Sequence, residues 1–257
     1  MKFTFTGTGT SQGVPVIACP CAVCHSADPR DNRLRTSGLL SDGKTTLSFD
    51  AGPDFRQQML RHAVKELDAI VFTHPHKDHV AGLDDVRAYN YLHKRKMPVF
   101  ANRETINHLK REFFYIFENP DYPGVPQLDI QEIADYQSFS AGDIHLKALP
   151  VMHASMKVFA FRIGSFAYVT DANVISDQTL HELKGLEVLV INALRHEKHY
   201  SHFNLAEAIE VVQKLKPARA YLTHISHQMG LHSEVSETLP PGIELAWDGL
   251  EIELTSP

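Results

Sequence analysis

The chain has 257 residues, a length that suits one large α/β domain with a substantial buried core. Its 25 lysines and arginines against 31 aspartates and glutamates give a net charge of −6, which argues against general attraction to nucleic acid or to an anionic membrane. No stretch has the length of a membrane span or the apolar core of a signal peptide. We therefore expect a single domain over residues 1–257.

The amino terminus is predicted to begin with a strand, because residues 1–7 alternate apolar and polar side chains. The segment that follows, Gly7-Thr8-Gly9-Thr10-Ser11-Gln12-Gly13, is rich in glycine. Its third glycine lies one position too far along for a dinucleotide-binding loop, and no helix follows. We interpret it as a turn of small residues close to the metal site described below.

Three cysteines lie within six positions, at Cys19, Cys21 and Cys24. An odd, crowded set suits a reducing compartment and metal ligation better than a disulfide framework, so we expect a cytoplasmic protein. The three thiolates can share one tetrahedral ion but leave it one ligand short. The fourth ligand could be His25, which would have to double back, or His227. A cluster of reduced cysteines without metal is the alternative.

Two predicted strands, residues 37–40 and 45–49, meet at Asp42-Gly43, which is a strong hairpin signal. After the second strand, Asp54 can cap a helix that continues to residue 67. That helix would place apolar side chains at helical spacing on one face.

The densest group of metal-ligand side chains is His74-Pro75-His76-Lys77-Asp78-His79, at the end of the apolar run 69–73. The run is short and rich in β-branched or aromatic residues, which is typical of a strand buried on both faces. Imidazole and carboxylate ligands suit zinc, manganese or iron, and one ion cannot use all four of these side chains. The spacing therefore predicts two ions side by side.

Two later predicted strands repeat this layout. Residues 166–170 run into Asp171, and residues 218–223 run into His224, so three strands end in a threonine followed by a metal-ligand side chain. We expect the three strand ends to converge on one site. Unrelated surface histidines are the alternative reading in a chain with 16 histidines.

The rest of the second half alternates predicted strands and helices: strands at 144–151, 158–163 and 188–192, and helices at 177–184 and 205–216. The last helix has the strongest sequence signal, because Asn204 and Glu207 can form a capping box. Three prolines make residues 118–126 a loop, which is either a rim of the pocket or a plain connector.

Just before the last helix lies a polar stretch that runs from Arg195 to Asn204. It contains His196, His199 and His202, and we expect one of these histidines to be functional. Arg195 could contact a substrate phosphate or form a surface pair with Glu197.

The HxHxDH motif and the order of the later ligand residues resemble the metallo-β-lactamase superfamily over nearly the whole chain. The resemblance implies an α/β fold, namely a four-layered αβ/βα sandwich in which two mixed β-sheets are flanked by helices. It also implies two divalent active-site ions, zinc or manganese. One ion would take His74, His76 and His153, and the other would take Asp78, His79 and His224, with Asp171 bridging both. An aspartate placed like Asp50 supports the metal loop from outside in that superfamily, although an ordinary turn residue is an equal alternative.

The CxCxxC pattern after the first strand and the late His224-x-x-His227 pair narrow the resemblance to PhnP-type cyclic phosphodiesterases. That resemblance implies a structural zinc held by Cys19, Cys21, Cys24 and His227. A histidine placed like His202 faces the metals in such enzymes, so the candidate catalytic residues are His202 and the ligand Asp78. Residues 193–198 depart from the pattern, because a longer, proline-containing segment is expected there.

The resemblance implies a binuclear metal-dependent phosphoric diester hydrolase that opens a small cyclic phosphate, similar to a ribose cyclic phosphate, to a phosphomonoester. A tRNA-processing nuclease would need an RNA-binding arm and a basic surface, whereas a thioester or lactam hydrolase could use the same ligands. The alternative from outside the enzymes is a metal-stabilised scaffold that binds a partner and has no activity. The expected partner is a small phosphorylated substrate, with no membrane and no extended nucleic acid, and a homodimer is left open.

Overall fold

The strands alternate in sequence with short helices, as the periodic pattern predicts. The computed structural model describes residues 1–118, 122 and 124–255. Part of the predicted loop at 118–126 lies outside these residues, so its role at a pocket rim stays a prediction. Within the described part, no helix has both the length and the apolar character needed to cross a membrane.

The described strands are β1 Lys2–Gly7, β2 Ser37–Ser41, β3 Thr46–Phe49, β4 Ala69–Val71, β5 Met97–Ala101, β6 Leu128–Glu132, β7 Ser138–Ala141, β8 Ile144–His153, β9 Met156–Ile163, β10 Phe166–Val169, β11 Val188–Asn192, β12 Arg219–Thr223, β13 Ile243–Leu245 and β14 Glu251–Glu253. The described α-helices are α1 Phe55–Arg61, α2 Lys77–Val80, α3 Arg87–His93, α4 Arg103–Glu112, α5 Phe114–Glu118, α6 Asp177–Glu182, α7 Leu205–Leu215 and α8 His232–Thr238. Short 3-10 turns lie at Val23–His25, Pro29–Asp31, Leu83–Val86 and His227–Met229.

These strands form two mixed sheets, in the orders β14-β1-β2-β3-β4-β5-β6 and β13-β12-β11-β10-β9-β8-β7. Strands β3 to β6 are parallel to one another, and so are β10 to β13. The carboxyl ends of parallel strands lie at the same edge of a sheet. Each sheet therefore presents one edge at which the residues after successive strands collect.

The alternation within β11 shows how the layers are built. All five of its residues are buried, with Val188 and Val190 in a core that also contains Phe3 and Phe49 of the other sheet. Leu189 and Ile191 point to the opposite face, where they pack with residues of α6, α7 and α8. A third core packs α1, α3 and α4 on the outer face of the first sheet. The fold is thus the expected αβ/βα sandwich of two mixed sheets flanked by helices.

The helix predicted at 54–67 is much shorter than expected. It ends at Arg61, and Ala63 has a φ of 50°, which takes the backbone out of the helix. Asp54 does not cap it: its side chain accepts from the backbone N–H of Arg35 and pairs with the guanidinium of Arg35 at 3.1 Å.

The Asp42-Gly43 hairpin and the capping box of Asn204 and Glu207 are both confirmed.

A buried arginine connects segments that are distant in sequence behind the site. Arg33 Nη1 donates to Thr8 Oγ1 at 2.9 Å and to the Ala246 carbonyl at 2.6 Å, and Nη2 lies 3.1 Å from His232 Nδ1. The backbone N–H of His232 donates to Asp31 at 2.8 Å. Since arginine has donors alone, His232 Nδ1 must accept, which requires a neutral ring.

This geometry predicts a pH dependence of stability. Burial, and next the charge of Arg33, lower the pKa of His232 to about 4. A histidine whose folded pKa lies below its unfolded value contributes stability that is present above about pH 6.5 and is lost as the pH falls toward 4. In His232→Asn, whose amide oxygen can accept from Arg33 without titrating, the melting temperature should fall less between pH 7 and pH 5 than in the wild type.

Thermal unfolding measures this difference. Saturating metal is present so that the metal-binding histidines contribute equally to the pH dependence of both proteins. The matched control is His181→Asn, because His181 is an exposed histidine on α6. In this control the melting temperature should fall between pH 7 and pH 5 by the same amount as in the wild type. Parallel curves for His232→Asn and the wild type would contradict the assignment.

Candidate metal centre

The candidate site lies where the carboxyl-end edges of the two sheets meet. The first sheet contributes the loop after β4, which carries His74 and His76 and leads into α2 with Asp78 and His79. A backbone hydrogen bond of 2.9 Å from Phe159 N–H to the Thr73 carbonyl ties this loop to the second sheet.

The second sheet contributes residues that directly follow its strands. His153 is the last residue of β8, Asp171 lies two residues beyond β10, and His224 directly follows β12. His202 lies in the segment between β11 and α7. The convergence of three strand ends is as the sequence predicts.

Three site residues share an uncommon backbone conformation. Asp50, Asp171 and His224 have φ values of 65°, 56° and 57°, in the left-handed region that residues other than glycine seldom adopt. Each follows a strand, so the left-handed residue turns the chain sharply and keeps the side chain at the sheet edge. Non-glycine residues in this region cost energy and cluster at functional sites.

One donor set consists of three histidines. Ligand atoms of His74, His76 and His153 all lie within 4.8 Å of one another. The ring centroids are 4.7 Å apart for His74 and His76 and 5.0 Å apart for His76 and His153. A single ion between these nitrogens would have three protein ligands and room for a water or substrate.

The second donor set combines two carboxylates and two histidines, namely Asp78, His79, Asp171 and His224, again within 4.8 Å of one another. His79 Nε2 lies 3.2 Å from Asp78 Oδ2 and 3.5 Å from Asp171 Oδ2. His224 Nδ1 lies 3.1 Å from Asp171 Oδ1.

Asp171 also reaches the first donor set. Its Oδ2 is 3.7 Å from His74 Nε2, while its Oδ1 accepts from Thr170 Oγ1 at 2.7 Å. One buried carboxylate is therefore adjacent to both sets, which is the position of a ligand that two ions share.

Several nitrogens at the centre of the site are buried without a hydrogen-bond partner among the described residues. They are His74 Nε2, His79 Nε2, His202 Nδ1 and His224 Nδ1. Buried polar atoms are nearly always paired, so four such atoms facing one carboxylate need an explanation. Divalent ions fit this set, since each would accept several of these lone pairs at once.

The electrostatics of the site also favour a bound cation. Burial acts to raise the pKa of Asp171, but His224 and His79 hold it well below its usual range. Burial opposes a charge on His79, yet Asp171 and Asp78 raise its pKa well above its ordinary value. The two carboxylates thus stay ionised and require a compensating positive charge, which metal ions would supply in place of protons.

Contacts outside the donor sets orient the rings. Asp50 Oδ2 lies 2.7 Å from His79 Nδ1 and also accepts from the Thr73 side chain. His153 Nδ1 is 2.7 Å from the Ser201 carbonyl, so it carries the proton and Nε2 is free. Such partners fix the tautomer and direction of a ligating histidine. Asp50 therefore lies in contact with the metal loop, as the resemblance implies.

A second cluster joins the cysteine loop to the 3-10 turn that follows β12. Cys19, Cys21, Cys24 and His227 bring their ligand atoms within 4.8 Å of one another, and His25 does not belong to this group. His227 Nδ1 lies 3.2 Å from Cys19 Sγ and 3.4 Å from Cys21 Sγ. The Cys24 backbone N–H, followed by the His227 ring, lowers the pKa of Cys21 to about 6, which favours a thiolate at neutral pH. Four N and S donors without an open position suit a structural zinc.

Comparison with known proteins agrees with this geometry. The family described as the beta-lactamase superfamily domain matches residues 45–225. A crystal structure of a diphosphatase from the PhnP family has a TM-score of 0.91 and 39% sequence identity, covering 98% of this chain and 96% of that one. The chain belongs to the metallo-β-lactamase superfamily and to its PhnP-like branch. The fold and the family support a metal-dependent hydrolase.

Other relatives of this PhnP-like chain are more distant in structure or length. An octanoyltransferase of Porphyromonas gingivalis is 37% identical over 253 residues, which are 98% of this chain but 51% of that protein. The chain thus spans about half the length of this curated relative. The short form of human tRNase Z shares the fold, with a TM-score of 0.74 at 18% identity over 99% of this chain.

His202 lies directly beside both donor sets of this PhnP-like site. Its ring centroid is 4.5 Å from that of His153 and 4.7 Å from that of His224, and its Nδ1 is 3.9 Å from Asp171 Oδ2. Burial lowers the pKa of His202 to about 3, although Asp171 acts in the opposite direction. The ring is therefore neutral at neutral pH in the free site.

Other polar residues of the same segment are engaged elsewhere. Arg195 Nη1 donates to Gln228 Oε1 at 2.7 Å, and the guanidinium also reaches the Glu197 and Lys198 carbonyls. His196 Nε2 bonds the Met229 carbonyl at 2.8 Å. Arg195 thus joins this segment to the 3-10 turn that begins at His227. Among the described residues, Arg195 contacts the backbone carbonyl of Glu197 and forms no ion pair with its side chain.

Sequence reasoning missed three supports of the site. Thr10 Oγ1 lies 3.3 Å from His224 Nε2. The glycine-rich turn was expected near the site, but this contact with a proposed ligand was not. The Asn192 side chain accepts from Ala172 N–H at 2.7 Å and so holds the turn at Asp171. The Ser201 carbonyl bonds His153, and no side-chain pattern can signal a carbonyl. For Thr10 the signal was its place among small residues after the first strand.

Proposed function

We propose that the chain is a binuclear phosphoric diester hydrolase that opens a small cyclic phosphate to a phosphomonoester. The observation that carries the proposal is the placement of Asp171 between two complete donor sets. The similarity to a diphosphatase of the PhnP family supports phosphorus-oxygen chemistry. We further propose zinc or manganese at this site and a separate structural zinc at the cysteines.

In this proposal, His74, His76 and His153 hold one ion, Asp78, His79 and His224 hold the other, and Asp171 contacts both. When bound, two such ions would acidify the attacking water and stabilise charge on the phosphoryl oxygens. Their combined charge exceeds that of the two carboxylates, so the site would attract an anionic phosphodiester although the chain is acidic.

His202 is proposed to act on the leaving oxygen. Its ring is neutral in the free site, so a phosphate that binds beside it would raise its pKa and allow it to carry a proton. The proton would then pass from the ring to the departing alkoxide. If the ring stays neutral, its N–H can still donate a hydrogen bond to the phosphate, and the leaving-group comparison below separates the two roles.

Thioester hydrolysis is the second candidate, because the P. gingivalis relative is named for octanoyl transfer. Half of that protein lies outside the match, so its named activity is not assigned to this chain. Protein loaded with manganese or zinc should hydrolyse bis(p-nitrophenyl) phosphate, and a panel of ribose cyclic phosphates, cyclic nucleotides and octanoyl thioesters identifies the substrate class. Binding of these compounds without turnover of any would favour a scaffold over an enzyme.

Replacement of Asp171 by alanine tests the binuclear site. Removing the shared carboxylate should release both active-site ions and reduce turnover by about 100-fold or more, because both donor sets lose a ligand. Elemental analysis should find two ions in the wild type besides any at the cysteines. Asp129→Ala, an exposed carboxylate on β6, is the control. Full activity with a single ion in the active site would refute the proposal.

Replacement of Cys21 by serine tests the structural zinc. The variant should lose one zinc per chain and melt at a lower temperature, because metal binding contributes to folding free energy. Active-site occupancy should also drop, since His227 lies three residues from His224. His25→Ala, beside Cys24 but outside the cluster, should behave as the wild type. Unchanged melting temperature and turnover after zinc removal from the cysteines would exclude a structural role.

Replacement of His202 by alanine tests its catalytic role. Both active-site ions should remain, while turnover of a substrate with an alkoxide leaving group slows by roughly 10²–10⁴-fold. A p-nitrophenolate leaving group needs no proton and should suffer less. His181→Ala is the matched control on α6. Equal losses on both substrates would assign His202 to phosphate binding instead.

A further inference from the structure

A row of aromatic rings leads from the metal centre to the protein surface. The His202 ring centroid is 5.2 Å from that of His199, with the two rings inclined by 30°. The His199 ring is in turn 4.8 Å from that of Tyr200. The outer member, Tyr200, is 79% exposed. The exposed ring therefore lies within two ring spacings of the proposed proton donor.

The backbone that carries these rings is held on both sides. Asn173 Nδ2 donates to the Tyr200 carbonyl at 3.0 Å, and the Ser201 carbonyl bonds the ring of His153 at 2.7 Å. His199 Nδ1 lies 3.2 Å from Ser201 Oγ. A tyrosine on a frayed loop would need no explanation, but here the surrounding contacts present a large ring to solvent beside a catalytic centre.

The chemistry of such a ring restricts its ligand. The polar groups of the site serve the phosphate, whereas the face of a tyrosine offers apolar, planar contact area at low entropic cost. Nucleobases stack on exposed aromatic side chains in this way, and every base presents a suitable face. If His202 protonates the leaving oxygen, as proposed, the group that leaves from phosphorus lies on the side of the site where His199 and Tyr200 follow.

We propose that His199 and Tyr200 form a subsite that stacks a nucleobase on the leaving-group side, so that the preferred substrates are nucleoside phosphodiesters rather than base-free ribose phosphates. The inference rests on the proposed function and names its substrate class. A ribose between phosphate and base would span from His202 to the exposed face of Tyr200.

Equilibrium binding tests the subsite without turnover. AMP and ribose 5-phosphate share phosphate and ribose and differ in the base, and both can be titrated into metal-loaded protein by calorimetry. The wild type should bind AMP more tightly by about 5- to 100-fold, the range of one base stack. Tyr200→Ala should abolish most of this difference, Tyr200→Phe should keep it, and ribose 5-phosphate should bind all three proteins equally.

The matched control is Tyr91→Ala. Tyr91 lies on α3 and is 61% exposed, and its ring faces the ammonium group of Lys94, the residue that ends this helix. It should leave both affinities unchanged. Equal affinity of the wild type for AMP and ribose 5-phosphate would overturn the subsite. So would a Tyr200→Ala variant that retains the full preference for AMP, which would leave Tyr200 as a surface for a protein partner.

Turnover separates failure of the subsite from failure of the proposed function. With 2′,3′-cyclic AMP, Tyr200→Ala should raise KM by about 5- to 100-fold and leave kcat nearly unchanged, while a base-free ribose cyclic phosphate should show no change. Equal kinetics of wild type and variant on both substrates would refute the subsite and keep the phosphodiesterase. No hydrolysis of any phosphodiester by the wild type would refute the proposed function, and the AMP titration would still decide whether the base site exists.

Discussion

The buried carboxylate of Asp171 is the group on which the site depends. A carboxylate without solvent is costly unless opposite charge surrounds it. Here His79 of the second donor set provides that charge, and the carboxylate in turn raises the pKa of His79 well above its ordinary value. Ions that replace these protons would relieve the same imbalance. Metal binding and charge neutralisation are thus one event at this position.

The sheet topology explains how one carboxylate can serve two donor sets from different halves of the chain. Parallel strands deliver their following residues to one edge, and the two sheets bring those edges together. The left-handed residues Asp50, Asp171 and His224 keep the turns short enough for side chains to remain there. Their backbone cost is of order 1–3 kcal/mol each, and such strain persists only where the surrounding structure holds the residue in place. Aromatic contacts between the sheets, such as Phe49 against Tyr168 at 4.7 Å, are part of that surrounding structure.

The parts of this site that sequence reasoning could predict are those whose signal is local. The HxHxDH motif and the repeated threonine before a ligand side chain indicated three strand ends. Parallel pairing brings the ends of β10 and β12 to one edge, and packing of the two sheets brings the end of β4 beside them. The structure brings these predicted ligands together, and their binding of metal stays a prediction. The helix after Asp54 was predicted too long, because the helical spacing of apolar residues does not show that the backbone leaves the helix before Ala63. Asn192 and the Ser201 carbonyl act only through tertiary contacts, which no pattern along the chain records.

The strand ends and the segment 193–204 contribute different groups to the proposed site. His153, Asp171 and His224 lie at strand ends or within two residues after them, where a change would disturb the sheet edge. The other four proposed ligands lie in the loop after β4 and in α2. Tyr200, His199 and His202 lie on a connection between β11 and α7, anchored by the Ser201 carbonyl on His153 and by the capping box at Asn204. Those anchors use a backbone carbonyl and the last residue of the segment, so the exposed side chain of Tyr200 is not needed to hold the connection in place. The departure from the PhnP pattern that the sequence suggests at residues 193–198 falls in this same connection, so it is here that we expect any difference in substrate from PhnP-type enzymes to arise.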